Sequence, residues 1–458
     1  MSPTLIDLSY LVAAVFFILG LKGMTRPKTA VRGNLYGALG MLIAVVATLL
    51  NQGVVGYSLI LAGVIVGALI GAYIAITVKM EGMPEMVALL NGLGGAGSIL
   101  VAGAEFWRQA NEQGIDARIA TALSGIIGAV TLSGSLLAFV KLAEYKFVRA
   151  LKPLDGQQFY NAILGGFLLL MTLTMVFNPT QLVFWAIVAV AFILGYMLTI
   201  PIGGADMPVV IALLNSYSGL AAAATGFVLE NNVLIIAGSL VGASGLILTK
   251  VMCDAMNRSL LAVLFGTVGP KDDGPSADEV YKTVKATSAE EVAMMLEVAS
   301  RVVIVPGYGM AVAQAQHAVR DLTNLLKSRD IEVEFGIHPV AGRMPGHMNV
   351  LLAEADISYD LLKEMDEINS TMEQTDVCLV IGANDTVNPD ARNNPNSPIA
   401  GMPIVNADKA RTCVVIKRSL SPGYAQIPNP LFAAENALML FADGKQAVVD
   451  IINALKEG

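Results

Sequence analysis

Long apolar stretches fill the first half of the chain, and short polar segments separate them. Each stretch is long enough for an α-helix to cross a lipid bilayer, which takes roughly 20 residues. The stretches lie near residues 5–21, 33–50, 54–78, 83–103, 117–140, 160–177, 182–200, 207–229 and 232–252. The pattern therefore predicts a polytopic α-helical membrane domain of about nine spans, with the two chain ends on opposite faces.

Basic residues gather in the loops on one side of these predicted spans. That side holds Lys22, Arg26, Lys28, Arg32, Lys79, Lys141, Lys146, Arg149, Lys152, Lys250 and Arg258, whereas the other side holds Arg108 and Arg118. Cytoplasmic loops of membrane proteins carry an excess of Lys and Arg. We therefore expect the N-terminus outside and the C-terminal half of the chain in the cytoplasm.

A short repeat occurs within the membrane half, where MPEMVALLN at 83–91 matches MPVVIALLN at 207–215. Both copies begin on the predicted cytoplasmic face, four spans apart, which makes them parallel repeats. Each copy places an asparagine, Asn91 or Asn215, roughly 12 Å into the membrane at 1.5 Å per residue. These amides predict either hydrogen bonds between helices or a polar, water-accessible path along the bundle.

Asp206 is the notable charge near the predicted membrane core, and it directly precedes Met207 and Pro208. An aspartate before Pro at a helix start is a good N-cap. A carboxylate at this depth also suits a titrating group at the cytoplasmic mouth of a proton path. The two interpretations are compatible, and both stay open.

The second half of the chain has a different pattern, in which short β-branched runs alternate with helical segments. Strands are predicted at 302–305, 332–337, 377–381 and 412–417, with weaker ones near 359–362 and 437–441, and helices at 286–299, 311–328, 348–355 and 444–456. This alternation predicts an α/β, Rossmann-like domain with a parallel six-stranded sheet. We expect a transmembrane domain at 1–262, a Gly/Pro/Asp-rich linker at 263–285 and the α/β domain at 286–458.

The composition agrees with a membrane protein, since 55% of the residues are hydrophobic, only 14% are charged, and the mean hydropathy is +0.64. A net charge of −8, thinly spread, argues against a nucleic-acid partner. The three cysteines lie far apart without CxxC spacing, and no histidine has a partner at helical spacing. We therefore predict no metal site.

The segment RVVIVPGYGMAVAQAQ at 301–316 joins a predicted buried strand to a helix through a glycine-rich turn. Such a turn presents backbone N–H groups and the positive end of a helix dipole to a phosphate. The candidate binding residues here are Gly307, Tyr308, Gly309, Met310, Ala311 and Val312. Val312 replaces the usual third Gly or Ala of the dinucleotide fingerprint, so an ordinary strand–helix turn is the competing interpretation.

Further polar clusters follow the other predicted strands, at the sheet edge where ligands bind in this architecture. The loop after the second strand lacks the acid that would bind a ribose 2′-hydroxyl and contains Arg343, which favours a phosphorylated ribose. Asn384 and Asp385 lie in a polar loop suited to amide and ribose contacts.

The loop after the 412–417 strand begins with two cations and a hydroxyl, Lys417, Arg418 and Ser419. This set suits a 2′-phosphate, although a solvated strand end is the plainer interpretation. Tyr424 follows in a segment that resembles a lid able to cover a cofactor.

No nucleophile–base pair stands out, which is expected if the chemistry is hydride transfer between two nicotinamide rings. Two other functions compete. A secondary transporter with a cytoplasmic nucleotide-sensing domain suits the spans and the repeat, but a substrate-sized polar cluster is missing. A membrane NADPH dehydrogenase that reduces a quinone needs a flavin or metal relay, for which the sequence offers no site.

Several segments together resemble the β subunit family of the proton-translocating NAD(P) transhydrogenases, and the resemblance covers essentially the whole chain. They are IGGADMPVV, LLNSYSG, PGYGMAVAQAQ, FGIHPVAGR, PGHMNVLLAEA, GANDTVNP, SPIAGMP and IKRS followed by GYA. The resemblance implies that the C-terminal domain binds NADP(H) in a reversed orientation, while NAD(H) binds a separate α subunit.

The same resemblance implies roles for the candidate residues. Residues 307–312 and Arg343 would face the pyrophosphate, Asn384 and Asp385 the ribose and nicotinamide, Lys417, Arg418 and Ser419 the 2′-phosphate, and Tyr424 the closing loop. Asp206 and Asn215 match membrane positions linked to coupling, and Asn91 stands where some members carry His.

At the level of the whole assembly, the resemblance implies inward proton translocation that drives NADPH formation in a bacterial inner membrane. The expected assembly is a dimer of α/β pairs in the lipid bilayer.

Overall fold

The computed structural model describes residues 3–25, 27–50, 56–109, 113–145, 153–265 and 280–457. The glycine-rich core of the predicted linker, 266–279, lies outside the described residues. The described chain divides into two compact units. The first comprises Met1–Pro201 and Val210–Leu248, and the second comprises Ile202–Val209 and Thr249–Gly458.

Within the described residues, nine helices are long and apolar enough to cross a membrane. They are α1 (Pro3–Met24), α2 (Pro27–Leu49), α3 (Ser58–Thr77), α4 (Met83–Gln109), α5 (Ile115–Leu142), α6 (Gln157–Phe177), α7 (Gln181–Thr199), α8 (Met207–Val228) and α9 (Asn232–Ala255). The prediction of nine spans is confirmed, and the chain is a multi-pass membrane protein.

Helices of the first unit approach each other at small residues. A methyl group added at Gly95 in α4 would lie 2.5 Å from the carbonyl oxygen of Gly128 in α5. One added at Gly195 in α7 would lie 2.5 Å from the carbonyl oxygen of Val130 in α5. Because any side chain would collide there, glycine is what allows these helices to touch backbone to backbone.

The sequence repeat extends to local structure. A 3₁₀ turn, Met80–Gly82, runs directly into α4, and a second one, Gly204–Asp206, runs directly into α8. Both copies therefore start a membrane helix with the same turn followed by Met-Pro.

The described residues of the second unit contain one sheet of six parallel strands in the order β3-β2-β1-β4-β5-β6. The strands are β1 (Arg301–Pro306), β2 (Glu332–Ile337), β3 (Leu362–Glu364), β4 (Val377–Ile381), β5 (Thr412–Ile416) and β6 (Ala437–Leu440). The predicted parallel six-stranded sheet is confirmed. The strand order reverses between β1 and β4, which is where this architecture opens a ligand crevice.

Shorter helices precede, connect and follow these strands. They are α10 (Leu260–Leu264), α11 (Ala289–Glu297), α12 (Tyr308–Val312), α13 (Gln316–Ser328), α14 (His347–Glu354), α15 (Met365–Thr371), α16 (Asp390–Asn393) and α17 (Gly444–Glu457). The core lies between the sheet and these helices, with β1 and β4 almost wholly buried. Cys378 and Cys413 face each other across β4 and β5 in this core.

Some local details differ from the predictions. The single helix expected at 311–328 is two helices, because Gln314 takes a left-handed backbone (φ 50°) and the N–H of Ala315 bonds back to Met310. The strand expected near 359–362 is a 3₁₀ turn followed by Leu362–Glu364. Helix α15 was not predicted, since its seven residues are too few to display a helical period.

Candidate functional site

The candidate site lies at the carboxyl edge of the sheet, where the loops after β1, β2, β4 and β5 meet. Most of the polar residues predicted from sequence lie in these loops, and several contact one another.

The glycine turn after β1 packs against the turn after β4. Gly307 donates its N–H to Ile381 (2.9 Å), and Gly309 donates to Gly382 (2.9 Å). A methyl at Gly309 would lie 2.7 Å from the Cα of Gly382, and one at Gly307 would overlap Ala383. The two glycines are therefore required by contact between the two turns, whatever they contribute to a ligand.

The helix after this turn has only five residues, Tyr308–Val312. Met310 and Ala311 are buried in the core, whereas Val312 is half exposed. The N–H of Met310 is donated to the carbonyl of Gly307 (3.0 Å). Since three N–H groups of this turn already have protein acceptors, the expected phosphate cradle is less open than the sequence motif indicates.

Arg343, from the loop after β2, is buried and lies between two tyrosines. Its guanidinium carbon stands 4.3 Å from the ring centroid of Tyr308, and its Nε donates to the hydroxyl of Tyr424 (3.2 Å). Its own backbone N–H donates to Nδ1 of His347 (3.1 Å). These contacts bring together three residues that lie 35 and 81 positions apart in the chain.

Asp385, after β4, points its carboxylate at the segment that carries Tyr424. Its Oδ2 accepts the N–H of Ala425 (3.0 Å), and a methyl at Gly423 would lie 2.6 Å from the same oxygen. Burial raises the pKa of Asp385, which backbone N–H groups and Lys417 partly oppose. Its Oδ1 is buried and has no hydrogen-bond donor among the described residues.

The loop after β5 supplies a cation and hydroxyls. The Nζ of Lys417 donates to the carbonyl of Ser421. Burial lowers the pKa of Lys417, and the negative charge of Asp385 partly opposes this change. Ser419 and Ser421 share a hydroxyl hydrogen bond of 2.7 Å. Arg418 and Ser419 are exposed, so they can meet a ligand from solvent.

Asn384 joins the loops after β4 and β5, since its Nδ2 donates to the carbonyl of Ser421 (3.3 Å). Its side-chain and backbone oxygens both accept from Asn429 (3.1 Å each). Asn429 was not predicted from sequence, because its partner lies 45 positions away in the chain.

Two buried histidines near this edge were also missed as site-supporting residues. His338 shares a hydrogen bond of 2.7 Å between its Nε2 and the carbonyl of Pro403, and His347 holds the backbone of Arg343. Burial lowers the pKa of each to about 4. Both rings are therefore neutral at physiological pH, and His347 can accept through Nδ1.

Asp206, directly before α8, forms an ion pair with Arg258 (3.0 Å). Burial raises the pKa of this carboxyl, and the guanidinium opposes the change.

Asn91 in α4 lies within 3.4 Å of the carbonyl oxygen of Ile211 in α8, as a donor through Nδ2. Ile211 stands one helical turn before Asn215, so the two asparagines of the repeat lie on helices in contact. This bond fits the prediction of hydrogen bonding between helices.

In the described part of the chain, no group of three or more His, Cys, Asp and Glu side chains gathers as a metal site.

Comparison with known proteins identifies the family. A family model described as NAD(P) transhydrogenase beta subunit matches residues 6–454. The chain belongs to this family. Two relatives named NAD(P) transhydrogenase subunit beta, both from Rhodospirillum rubrum and one from a named strain, are 47% identical over 466 residues. Each alignment covers 99% of this chain and 100% of the relative.

Membership in the transhydrogenase family confirms the resemblance inferred from the sequence motifs. It implies a transhydrogenase that uses NAD(P)(H), and the description as a beta subunit implies an alpha subunit. The parallel sheet with its reversal between β1 and β4 agrees with nucleotide use.

Proposed function

We propose that this chain binds NADP(H) in its C-terminal α/β domain and exchanges hydride with NAD(H) held by the α subunit. Hydride transfer is coupled to inward movement of protons through the membrane helices. The proposal rests on one observation. Arg343, Lys417 and Asp385 lie with two tyrosines, Tyr308 and Tyr424, near the place where the strand order reverses between β1 and β4.

The donor set fits NADP(H) in its chemistry. Three cations, Arg343, Lys417 and Arg418, lie in the loops of this edge, and a pyrophosphate together with a 2′-phosphate needs such charges. The buried Oδ1 of Asp385, which lacks a donor among the described residues, suits a ribose hydroxyl or an amide N–H of the ligand.

Within this proposal, Lys417, Arg418 and Ser419 hold the 2′-phosphate, and Arg343 supplies charge to the pyrophosphate. The turn from Gly307 to Val312 gives the pyrophosphate a backbone surface, although Gly307, Gly309 and Met310 already donate their N–H groups within the protein. Asn384 and Asp385 serve the ribose and nicotinamide, and Tyr424 closes over the ligand.

The bound nicotinamide supplies the hydride chemistry. No proton has to move at the reacting carbons, so the residues of this chain act by holding the ring and excluding water. Asn384 and Asp385 are suited to holding the ring, and Tyr424 to excluding water, because its hydrogen bond with Arg343 already links the loop after β2 to the Tyr424 segment.

Coupling to protons gives the reaction its direction. Both cofactors carry the same nicotinamide, so hydride exchange alone is close to thermoneutral. A charge crossing about 200 mV releases roughly 4.6 kcal/mol, which shifts the product ratio on the order of a thousandfold. Inward movement then favours NADPH.

Asp206, Asn91 and Asn215 are the membrane residues that we assign to the proton path and its coupling. Asn91 offers no imidazole, so a titrating imidazole, where the path needs one, comes from the α subunit. The basic loops put the N-terminus outside and the α/β domain in the cytoplasm of a bacterial inner membrane. The assembly is a dimer of α/β pairs.

The test measures binding of NADPH and NADH to the full-length purified chain, with Lys417→Ala and Arg418→Ala beside it. We expect NADPH to bind far more tightly than NADH, because the extra phosphate meets both cations. Each substitution should weaken NADPH binding by about tenfold or more, as for a lost charge-assisted hydrogen bond.

Lys456→Ala is the matched control, since Lys456 is an exposed cation in the last turn of α17. It should leave both affinities unchanged. Equal binding of NADPH and NADH, or no effect of either substitution, would remove the NADP(H) assignment.

A further inference from the structure

The first described residues after 266–279 attach to the α/β domain by side-chain hydrogen bonds. The hydroxyl of Tyr281 accepts the backbone N–H of Asn429 (3.0 Å), and its ring stacks on Phe432 (centroids 6.2 Å apart, 20° between planes). Thr283 donates through Oγ1 to the carbonyl of Ala433 (3.1 Å). The segment that carries Tyr281 and Thr283 is thus bound to the segment 429–433.

Asn429 connects Tyr281 to the candidate site by hydrogen bonds. Its side chain is fully buried. The Nδ2 donates to both the backbone oxygen and Oδ1 of Asn384 (3.1 Å each), and Oδ1 accepts the N–H of Leu431 (3.0 Å). Every polar atom of this amide is therefore committed, and it cannot turn without breaking a buried hydrogen bond.

The orientation of Asn384 follows from these bonds. Since its Oδ1 faces the donor on Asn429, its Nδ2 must face the other way, where it donates to the carbonyl of Ser421 (3.3 Å). Asn384 is thus held between Asn429 and the loop that carries Lys417.

We propose that Tyr281 is a positioning residue for the nucleotide site, acting through Asn429 on the side chain of Asn384. The inference rests on the proposed function, in which Asn384 serves the nicotinamide end of NADP(H). Because Tyr281 bonds to Asn429 and Asn429 bonds to Asn384, a displacement of the segment that carries Tyr281 reaches Asn384 through two hydrogen bonds. Thr283, two residues further on, makes a similar single bond that does not lead to Asn384.

Tyr281→Phe tests the proposal, because it removes the hydroxyl and keeps the ring against Phe432. The full-length chain is titrated with NADPH and with 2′-AMP, which carries the 2′-phosphate but no nicotinamide. We expect NADPH to bind about tenfold more weakly, since Asn429 loses a buried acceptor and Asn384 its fixed orientation. Binding of 2′-AMP should not change.

The matched control is Thr283→Val, which removes one hydroxyl hydrogen bond from the same segment and should leave both affinities unchanged. Asn384→Ala gives a second readout. In that background Tyr281→Phe should have no additional effect on NADPH binding, because the residue through which it acts is gone.

Equal weakening of NADPH and 2′-AMP, equal effects of Tyr281→Phe and Thr283→Val, or additive effects with Asn384→Ala would each overturn the inference. Failure of the proposed function looks different. If the proposed function is wrong, Lys417→Ala leaves NADPH binding unchanged. If only the role of Tyr281 is wrong, Lys417→Ala still weakens the binding of both NADPH and 2′-AMP.

Discussion

The two units of this chain expose different kinds of surface. In the membrane unit, many large apolar side chains are exposed, and α3 buries none of its residues within the described structure. Its helix contacts include glycines such as Gly95 and Gly195 and hydroxyls such as Ser124, which is fully buried against Thr225 (2.8 Å). In the α/β unit, the apolar strands are inside and the polar residues stand at the loop edge.

The surrounding solvent decides which residues hold a unit together. Lipid is as apolar as leucine, so burial of apolar side chains does not drive membrane helices together, and close backbone contact does more. In water, burial of the strands of the sheet is the main favourable term. The same amino-acid type therefore has a different role in each unit.

The largest expected effect is a substitution at a membrane glycine. Gly195→Leu forces a side chain into the backbone of Val130 in α5 and should cost more than about 3 kcal/mol. We expect most of the chain to be lost as aggregate on detergent extraction, measured by size-exclusion chromatography. Gly67→Leu in α3 is the control, since no described atom lies within 4 Å of its added methyl. Similar behaviour of the two variants would contradict the packing argument.

The next effect concerns pH and should appear in the α/β unit. Burial lowers the pKa of His338 to about 4, so between pH 6.5 and 4 the unfolded chain binds a proton there that the folded chain does not. The contribution of His338 to the free energy of unfolding is therefore complete above pH 6.5. It falls as the pH drops towards 4, by up to about 3 kcal/mol. Denaturant unfolding of this unit across that range measures it.

His338→Gln separates this effect from other titrating groups. The glutamine amide can replace the Nε2 contact with Pro403 but does not titrate. The stability of the variant should fall less on acidification than that of the parent chain. His347 and the carboxylates remain in both proteins, so their contributions cancel in the difference. An identical pH dependence would show that His338 has an ordinary pKa.

The smallest effect is expected for a glycine in the α/β unit. Gly307→Ala places a methyl against Ala383 and should cost about 2 kcal/mol in the free energy of unfolding. The loss is smaller than at Gly195, because the added group is smaller and loops yield more readily than packed helices. Gly444→Ala, whose methyl would meet Ala313 at 3.3 Å, should be close to neutral. A larger loss for Gly444→Ala than for Gly307→Ala would reverse the comparison.

The sequence predicted the features that depend on long runs of residues. The nine apolar stretches correspond to nine long helices among the described residues, and the β-branched run at 302–305 lies in β1, because both signals are local and repeated. The break at Gln314 was missed, since one left-handed residue in a run of good helix formers carries no local signal.

Within the candidate site, the residues that stand directly after strands were predicted, because parallel strands end at one edge of the sheet. The residues that hold them were not. Tyr281 is 148 positions from Asn429 in the chain, and Asn429 is 45 positions from Asn384. Contacts between residues so far apart depend on the folded chain, and no pattern in the sequence predicts them. The cofactor roles of the site residues remain predictions.

The buried thiols of this chain have a practical consequence for spectroscopic labelling. All three cysteines, Cys253, Cys378 and Cys413, are buried and unpaired by disulfides. The hydrogen bond with Cys378 and burial also raise the pKa of Cys413, which keeps it in the unreactive thiol form. A maleimide dye added to the native protein should therefore find a single new cysteine at an exposed position such as Val298, with no need to remove the natural ones.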